Sequence, residues 1–296
     1  MAVTATRKPE GINTTGQKSL TSPAPFPYPA HRAATIKTMK HPLTIVKVGG
    51  AVVEDEARLS RLLADFSAIE GRKVLVHGGG RRATTVASSL GIESKMVGGR
   101  RITDSQMLEV VTMVYGGLVN KNIVARLQAC GIDALGLTGA DIDVIRSHKR
   151  PVKDVDYGFV GDVERVDGGK LSQLIEAGIT PVMAPLTHDG QGNMLNTNAD
   201  TIAAETAKAL AGQYDVTLIF SFEKKGVLAR PDDDDSLIPV ITRADYMRYA
   251  ADGTVSGGML PKLENAFNAI SAGVSRVNIT LATAIDGRHG TTIVEE

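Results

Sequence analysis

Two short apolar runs in this chain end in glycines beside a cation: "KVGGA" at 47–51 and "HGGGRR" at 77–82. Glycines at a strand tip remove side chains and leave backbone N–H groups facing outward. The helix-like segments that follow add positive dipole ends. Two such tips side by side make a site for phosphate or carboxylate oxygens, and Lys47 adds a full charge. A single glycine pair reads only as a tight strand–helix turn; the second pair and the lysine point to an anion. Further along, "GGRRITD" at 98–104 offers Arg100 and Arg101, whose guanidinium forks match a carboxylate. "NTNAD" at 196–200 opens a helix, with Asn198 or Asp200 as candidate caps. "GGMLPK" at 257–262 puts Lys262 in a first helical turn, where taken alone it reads as part of a solvated face.

The usual nucleotide fingerprints are absent. "GGGRRA" has no acidic ribose partner at the right distance, and "DGGKL" at 167–171 is a turn before a helix rather than a phosphate loop. This argues against a dinucleotide-dependent oxidoreductase; a nucleotide would need another scheme. The "DDDD" run at 232–235 reads as a solvated loop, His77 as a local hydrogen-bonding residue, and Cys130 in "LQACGIDALGL" as a buried core thiol.

The elements that must position these residues alternate. "LTIVKV" at 43–48 is a β-branched strand, and "DEARLSRLLADFSAIEG" is helical, with apolar positions 59, 62, 63, 66 and 69. "RKVLVHGGG" is a second strand and "RRATTVASSLG" a second helix. Residues 104–130 read as a long helix interrupted near Gly116 and Gly117. "DALGL" is a strand, 143–168 suggests hairpins, "ITPVMAPL" is a strand and "THDGQGNML" a tight hairpin. "NADTIAAETAKALAG" is a helix and "DVTLIFSF" a buried strand. Helices near 242–251 and 259–272 and the strands "RVNIT" and "TTIV" close the chain. Strands separated by helices imply an α/β fold, a three-layer αβα sandwich around a mostly parallel central sheet.

Composition narrows the class. Lys+Arg and Asp+Glu both total 33, so no basic excess points to nucleic acid. No run approaches the roughly 18 apolar residues of a membrane span. One cysteine excludes an internal disulfide framework, and the chain reads as cytoplasmic. The start differs from the rest: prolines stand at 23, 25, 27 and 29, and Glu10 is the only acid before Glu54. Residues 1–42 are expected to be a disordered extension. Two readings are open, a transit peptide or a dispensable tail upstream of a start at Met39, and the second is favoured.

In order and spacing, "KVGGA", "HGGG", "GRRITD", "MLNTNAD" and "GGMLPK" resemble the amino acid kinase family over residues 43–296. "K-x-G-G", "HGGG" and "N-x-N-A-D" together are similar to its acylglutamate branch rather than to aspartokinases or UMP kinases. The resemblance implies the carbamate kinase-like fold of that family. It implies phosphoryl transfer from MgATP to the γ-carboxylate of N-acetyl-L-glutamate, giving an acyl phosphate in arginine biosynthesis. It implies an N-lobe, 43–212, for the acylated amino acid and for homodimer formation, and a C-lobe, 213–296, for ATP. Lys47 and Lys262 would meet the transferring phosphoryl group from two sides, with Asp200 holding both. Gly49, Gly50 and Gly79 would donate N–H groups to phosphoryl and substrate oxygens. Gly79, Gly80, Arg101 and Asn196 would bind the substrate, Arg101 by its α-carboxylate and Asn196 by its α-carboxylate or amide end. Mg2+ would ride on the nucleotide, with no protein metal site.

Two positions depart from the family pattern. "SFEKKGVL" at 221–228 puts Phe222 where the family has an aspartate and moves the acid to Glu223. Nucleotide contacts are therefore not carried over, and Lys225 and Gly226 are weak candidates. Arg100 replaces a leucine that lies near the acyl end of the substrate in the family, so the acyl group is either acetyl or, with Arg100 facing a second carboxylate, succinyl. Otherwise Arg100 points to solvent or pairs with an acid. A carrier-linked aminoadipate kinase and a silent amino-acid sensor are the remaining alternatives. The proline-rich start cannot be the helix that links arginine-sensitive relatives into hexamers, so a dimer insensitive to arginine is expected.

Overall fold

The computed structural model describes residues 40–230 and 232–296; the expected extension lies, up to residue 39, outside the described residues. In chain order the elements are β1 (His41–Val48), α1 (Gly50–Glu54), α2 (Glu56–Ser67), β2 (Arg72–His77), α3 (Gly80–Ser89), β3 (Met96–Val97), β4 (Arg100–Arg101) and α4 (Ser105–Val111). A π-helical segment, Thr112–Val119, leads into α5 (Asn120–Ala129), β5 (Ala134–Leu137), β6 (Ile145–Lys149), β7 (Gly161–Val166) and α6 (Gly168–Glu176). Then come β8 (Thr180–Met183), β9 (Leu186–His188), β10 (Met194–Asn196), α7 (Ala199–Leu210) and β11 (Tyr214–Phe222). The chain closes with β12 (Val240–Ile241), α8 (Arg243–Asp252), α9 (Met259–Ser271), β13 (Arg276–Leu281) and β14 (Thr291–Ile293).

The main sheet has eight strands in the order β12-β14-β13-β11-β1-β2-β8-β5, parallel except where β13 meets β14. β1 sits in its middle, paired in parallel with β2 and β11, so the two glycine-tipped strands are neighbours, as the sequence implies. A four-stranded sheet, β10-β9-β6-β7, and the β3–β4 hairpin stand apart from it.

Strand parity sorts the core into two layers. Leu43, Ile45, Val74, Val76, Leu218 and Phe220 face a cluster completed by Leu171 of α6, Ile202 of α7 and Phe267 of α9. Val46, Val48, Leu75 and Ile219 face the other side, against Leu62 and Phe66 of α2, Ala83 of α3, Met107 of α4 and Ile123 of α5. This is the expected three-layer αβα sandwich. The same parity has a functional consequence: Lys47 shares the face of Leu43 and Ile45, toward the layer that holds α7 and α9.

Three local expectations shift. β1 begins at His41, not 43, because His41 and Pro42 continue the ladder with Tyr214 and Asp215. "ITPVMAPL" is two strands, since β8 stays in the main sheet while β9 turns into the second. Cys130 is exposed, not buried. α5 ends at Ala129, and the chain leaves the core through Gly131 at φ 77°. The expected lobe boundary at 212 falls in the turn between α7 and β11.

Candidate active site

Lys47 is the last polar position of β1, in the stretch from Ile45 to Val48 that is buried throughout, and is itself only 8% exposed. A buried ammonium is costly unless it is paired. Its partner comes from the first turn of α7. Asn198 caps that helix, its side chain accepting from the N–H groups of Asp200 at 2.8 Å and Thr201 at 3.2 Å. The cap frees the Asp200 carboxylate, which points back at the sheet. Its Oδ1 lies 2.8 Å from Lys47 Nζ in an ion pair, and its Oδ2 accepts from Lys262 Nζ at 2.9 Å. Lys262 reaches it from the first turn of α9, with its ammonium 5.7 Å from the Phe220 ring centroid. Burial pushes the Asp200 carboxyl up, but the two ammonium groups outweigh it and hold the group well below the usual carboxylate range. Burial pulls Lys262 below its ordinary value, and Asp200 offsets only part of that. Two cations share one anion, so the trio keeps a net positive charge in a largely dry site.

The glycine tips meet beside it. A Cβ on Gly50 would lie 3.8 Å from the N of Gly80 and 3.9 Å from the N of Gly79. Gly50 and Gly80 are the first residues of α1 and α3, and Gly79 precedes α3. Their N–H groups have no backbone acceptor among the described residues, as expected at helix starts. Gly49 differs from the expectation: its N–H donates to Ser221 O at 3.1 Å. Its extended backbone, φ −66° and ψ 148°, continues the β1–β11 ladder by one residue, so this N–H is not offered to a ligand here.

His77 sets the second tip. It is fully buried, and its Nδ1–H donates to Gly78 O at 2.8 Å. Its Nε2 accepts from Asn120 Nδ2 at 3.0 Å, and Asn120 also donates to Val182 O at 2.9 Å. A trans peptide points its C=O and N–H in opposite directions. Holding Gly78 O therefore aims the N–H of Gly79 away from His77. Burial depresses the His77 pKa to about 4, so the ring stays neutral with its proton on Nδ1.

A cavity of about 180 Å³ opens at these tips. Gly79, Gly80, Arg100, Arg101 and Asn196 all line it, so every residue expected to bind substrate converges there. Arg101 is held at its wall by Nη2 contacts to Gly80 O at 2.8 Å and Thr84 Oγ1 at 2.9 Å, and by Nη1 to Ser94 Oγ. These contacts occupy both Nη2 protons, so a two-bond clamp on a carboxylate displaces one of them. Asn196 donates through Nδ2 to Thr103 Oγ1 at 2.9 Å, while the Thr103 hydroxyl donates to Arg101 O at 3.3 Å. That leaves the Asn196 Oδ1 as an acceptor for the cavity.

Sequence reasoning missed Tyr115. Its ring packs on Gly79, where an added Cβ would come 2.9 Å from Cδ1, and it lines the cavity. The available signal was the interruption at Gly116 and Gly117. They lie in the π-helical segment, a form that recurs at functional sites. At the start of α9, a second cavity of about 220 Å³ is lined by Gly226, Val227, Ser256 and Met259. Gly226 is packed tightly, since a Cβ there would lie 2.5 Å from Leu237 Cδ1. Lys225 turns outward to Asp234, 3.7 Å away. A larger cavity of about 790 Å³, near Thr44, Thr217, Arg276 and His289, contains none of the expected site residues.

Comparison with known proteins identifies the family. The family model described as "Amino acid kinase family" matches residues 42–280. The acetylglutamate kinase of Bacteroides thetaiotaomicron is 69% identical over 255 residues, covering 86% of this chain and 99% of that protein. The crystal structure of smu.665 from Streptococcus mutans superposes with a TM-score of 0.71 at 27% identity, covering 86% of this chain and 99% of the other. The structure of Giardia carbamate kinase shares the fold, with a TM-score of 0.63 at 15% identity over 88% of this chain and 100% of its own. The chain belongs to the amino acid kinase family, within its acetylglutamate kinase branch.

Proposed function

We infer that the protein is an ATP-dependent kinase that phosphorylates the γ-carboxylate of an N-acylated glutamate on the route to arginine, with N-acetyl-L-glutamate, the acid named for its relatives, among the acids it turns over. The observation that carries this reading is Asp200 bridging Lys47 and Lys262 beside the paired glycine tips. The acceptor carboxylate is already ionised at neutral pH, so no general base is required. What remains is positioning and charge stabilisation, which is most of phosphoryl-transfer catalysis. Lys47, from the sheet, and Lys262, from α9, flank the transferring group, and Asp200 fixes both ammonium groups. Gly50 and Gly79 donate N–H groups to its oxygens, and Gly80 adds a third helix-start N–H. Arg101 takes the α-carboxylate. The free Oδ1 of Asn196 suits the amide N–H better than a carboxylate.

ATP, with Mg2+ on its phosphates, supplies the phosphoryl group and offsets its charge. Cationic side chains and N–H donors fit phosphate oxygens, and among the described residues no group of three or more His, Cys, Asp or Glu is placed to hold a metal ion. We assign the nucleotide to the 213–296 half, where the cavity at Gly226 and Met259 adjoins the helix of Lys262, and the acylated amino acid to the 43–212 half. The exposed apolar side chains of Met113 and Leu118 supply a surface for a second copy, in keeping with a homodimer. Among the described residues no helix is long and apolar enough to cross a membrane, in keeping with work in the cytoplasm.

The test is to incubate the protein with MgATP, N-acetyl-L-glutamate and hydroxylamine, which traps an acyl phosphate as its hydroxamate. Hydroxamate that depends on the acid, and that free glutamate does not give, supports the reading. No hydroxamate with any N-acylglutamate overturns it.

A further inference from the structure

Among the described residues, Arg100 is the one cation lining the substrate cavity that the reaction above leaves without a task. It stands on β4 at the end of a tight hairpin whose turn residues, Gly98 and Gly99, have φ of 55° and 75°. Neighbouring strand residues face opposite sides. Arg101 is bound at the start of α3, and Arg100 lies near Arg150 and Asp162 at the β6–β7 hairpin, although both line the cavity. The acids near Arg100 do not neutralise it. Asp162 of β7 is bound by Arg150 through two nitrogens, with Nε–O distances of 3.1 and 3.2 Å. Glu264 of α9 is exposed and makes no ion pair among the described residues. Arg150 itself adds a like charge. Burial, and then Arg150, push the Arg100 pKa down, against the partial opposition of Asp162 and Glu264. No ion pair to Arg100 exists among the described residues. A partly buried, unneutralised guanidinium on a ligand cavity is an expensive feature unless the ligand brings an anion.

Resting on the kinase reading above, we propose that the acyl group of the preferred substrate ends in a carboxylate, as in an N-succinyl rather than an N-acetyl glutamate, and that Arg100 recognises it. The substrate then carries three carboxylates, and each has a distinct partner. The γ-carboxylate goes to the glycine tips and lysines, the α-carboxylate to Arg101, and the acyl carboxylate to Arg100. The acyl end is anchored away from the transferred phosphoryl group, so Arg100 is a specificity residue and not a catalytic one. A charge-assisted hydrogen bond in a partly dry site corresponds to about ten- to hundredfold in kcat/KM.

The experiment measures kcat/KM for N-acetyl-L-glutamate and N-succinyl-L-glutamate with the hydroxamate readout, in wild type, Arg100→Leu and Arg100→Gln. The two substrates serve as each other's control for folding within every variant. The expected result is a wild-type preference for the succinyl compound that both variants lose, with turnover of the acetyl compound kept. Turnover of the acetyl compound alone, or a succinyl preference unchanged in the variants, overturns the assignment to Arg100 and leaves the kinase reading standing. Turnover of neither compound overturns the kinase reading, and this inference with it.

Discussion

The Asp200 carboxylate is divided between two lysines, with Oδ1 2.8 Å from Lys47 Nζ and Oδ2 2.9 Å from Lys262 Nζ. The three residues come from a central strand and from the first turns of two helices packed on the same face. The bridge therefore joins the two halves of the chain assigned to acid and nucleotide. Asp200→Asn keeps the shape and removes the charge. It leaves two nearly buried ammonium groups facing each other, a loss expected to cost about 3–5 kcal/mol of stability, as for other broken buried pairs. Chemical denaturation reads the change; a cost near zero would show that solvent, not Asp200, neutralises the lysines.

The pH profile follows from the same trio. Asp200 has a depressed pKa, so its stabilising contribution is present above the ordinary carboxylate value of 3.8 and is lost only as pH falls through its lower folded value. It therefore contributes no titration near neutrality. Lys262 titrates below its ordinary 10.5, so activity should fall on the alkaline side at a pH under that value. Lys262→Arg should move that limb upward, because a guanidinium stays charged to a pH above about 12. A kcat/KM profile with an alkaline limb unaffected by the substitution would remove Lys262 from the assignment.

His77 makes an acid-side prediction about stability. Its ring is neutral in the fold and ionises at about 4, against 6.5 when exposed. The unfolded chain thus takes up a proton between these values, and stability should fall by about 3 kcal/mol as pH drops from 6.5 to 4. His77→Gln should abolish that part of the slope and, by loosening the Gly78–Gly79 peptide, raise KM for the acid more than it lowers kcat. An unchanged pH–stability slope would contradict the buried neutral ring.

Gly79 is constrained by Tyr115 as well as by its role as a donor. A methyl group there would lie 2.9 Å from Tyr115 Cδ1. Gly79→Ala should therefore push the tyrosine off the cavity wall, cost about 1–3 kcal/mol and weaken acid binding. Gly50→Ala meets nothing nearer than 3.8 Å and should be much milder. Thermal unfolding and calorimetric titration of the two variants make the comparison; equal effects would contradict the packing argument.

The fold was largely legible because its signals are local. β-branched runs alternating with amphipathic helices gave the layers, and the parity of β1 put Lys47 on the side of α7 and α9. The convergence of Arg101, Asn196 and Gly80 was legible through the motif set, not through spacing alone, since β4 and β10 meet only in three dimensions. Three features were hidden for physical reasons. The N–H of Gly49 is committed to Ser221, a partner 172 positions away that no local pattern reveals. Tyr115 reaches the cavity through a π-helical segment, and 3.6-residue periodicity does not describe one. Cys130 looked like core but lies past the end of α5, where one turn of backbone decides exposure.

The most direct measurement compares single-turnover phosphoryl transfer in wild type, Lys47→Met and Lys262→Met, with binding of the acid and of MgATP measured separately by calorimetry. The account predicts that each variant still binds N-acylglutamate within a few-fold of wild type. It predicts that each loses on the order of 10²–10³-fold in the rate of acyl phosphate formation, as when one preorganised donor to a transition state is removed. Transfer at the wild-type rate in either variant would contradict the claim that the two lysines held by Asp200 stabilise the transferring group.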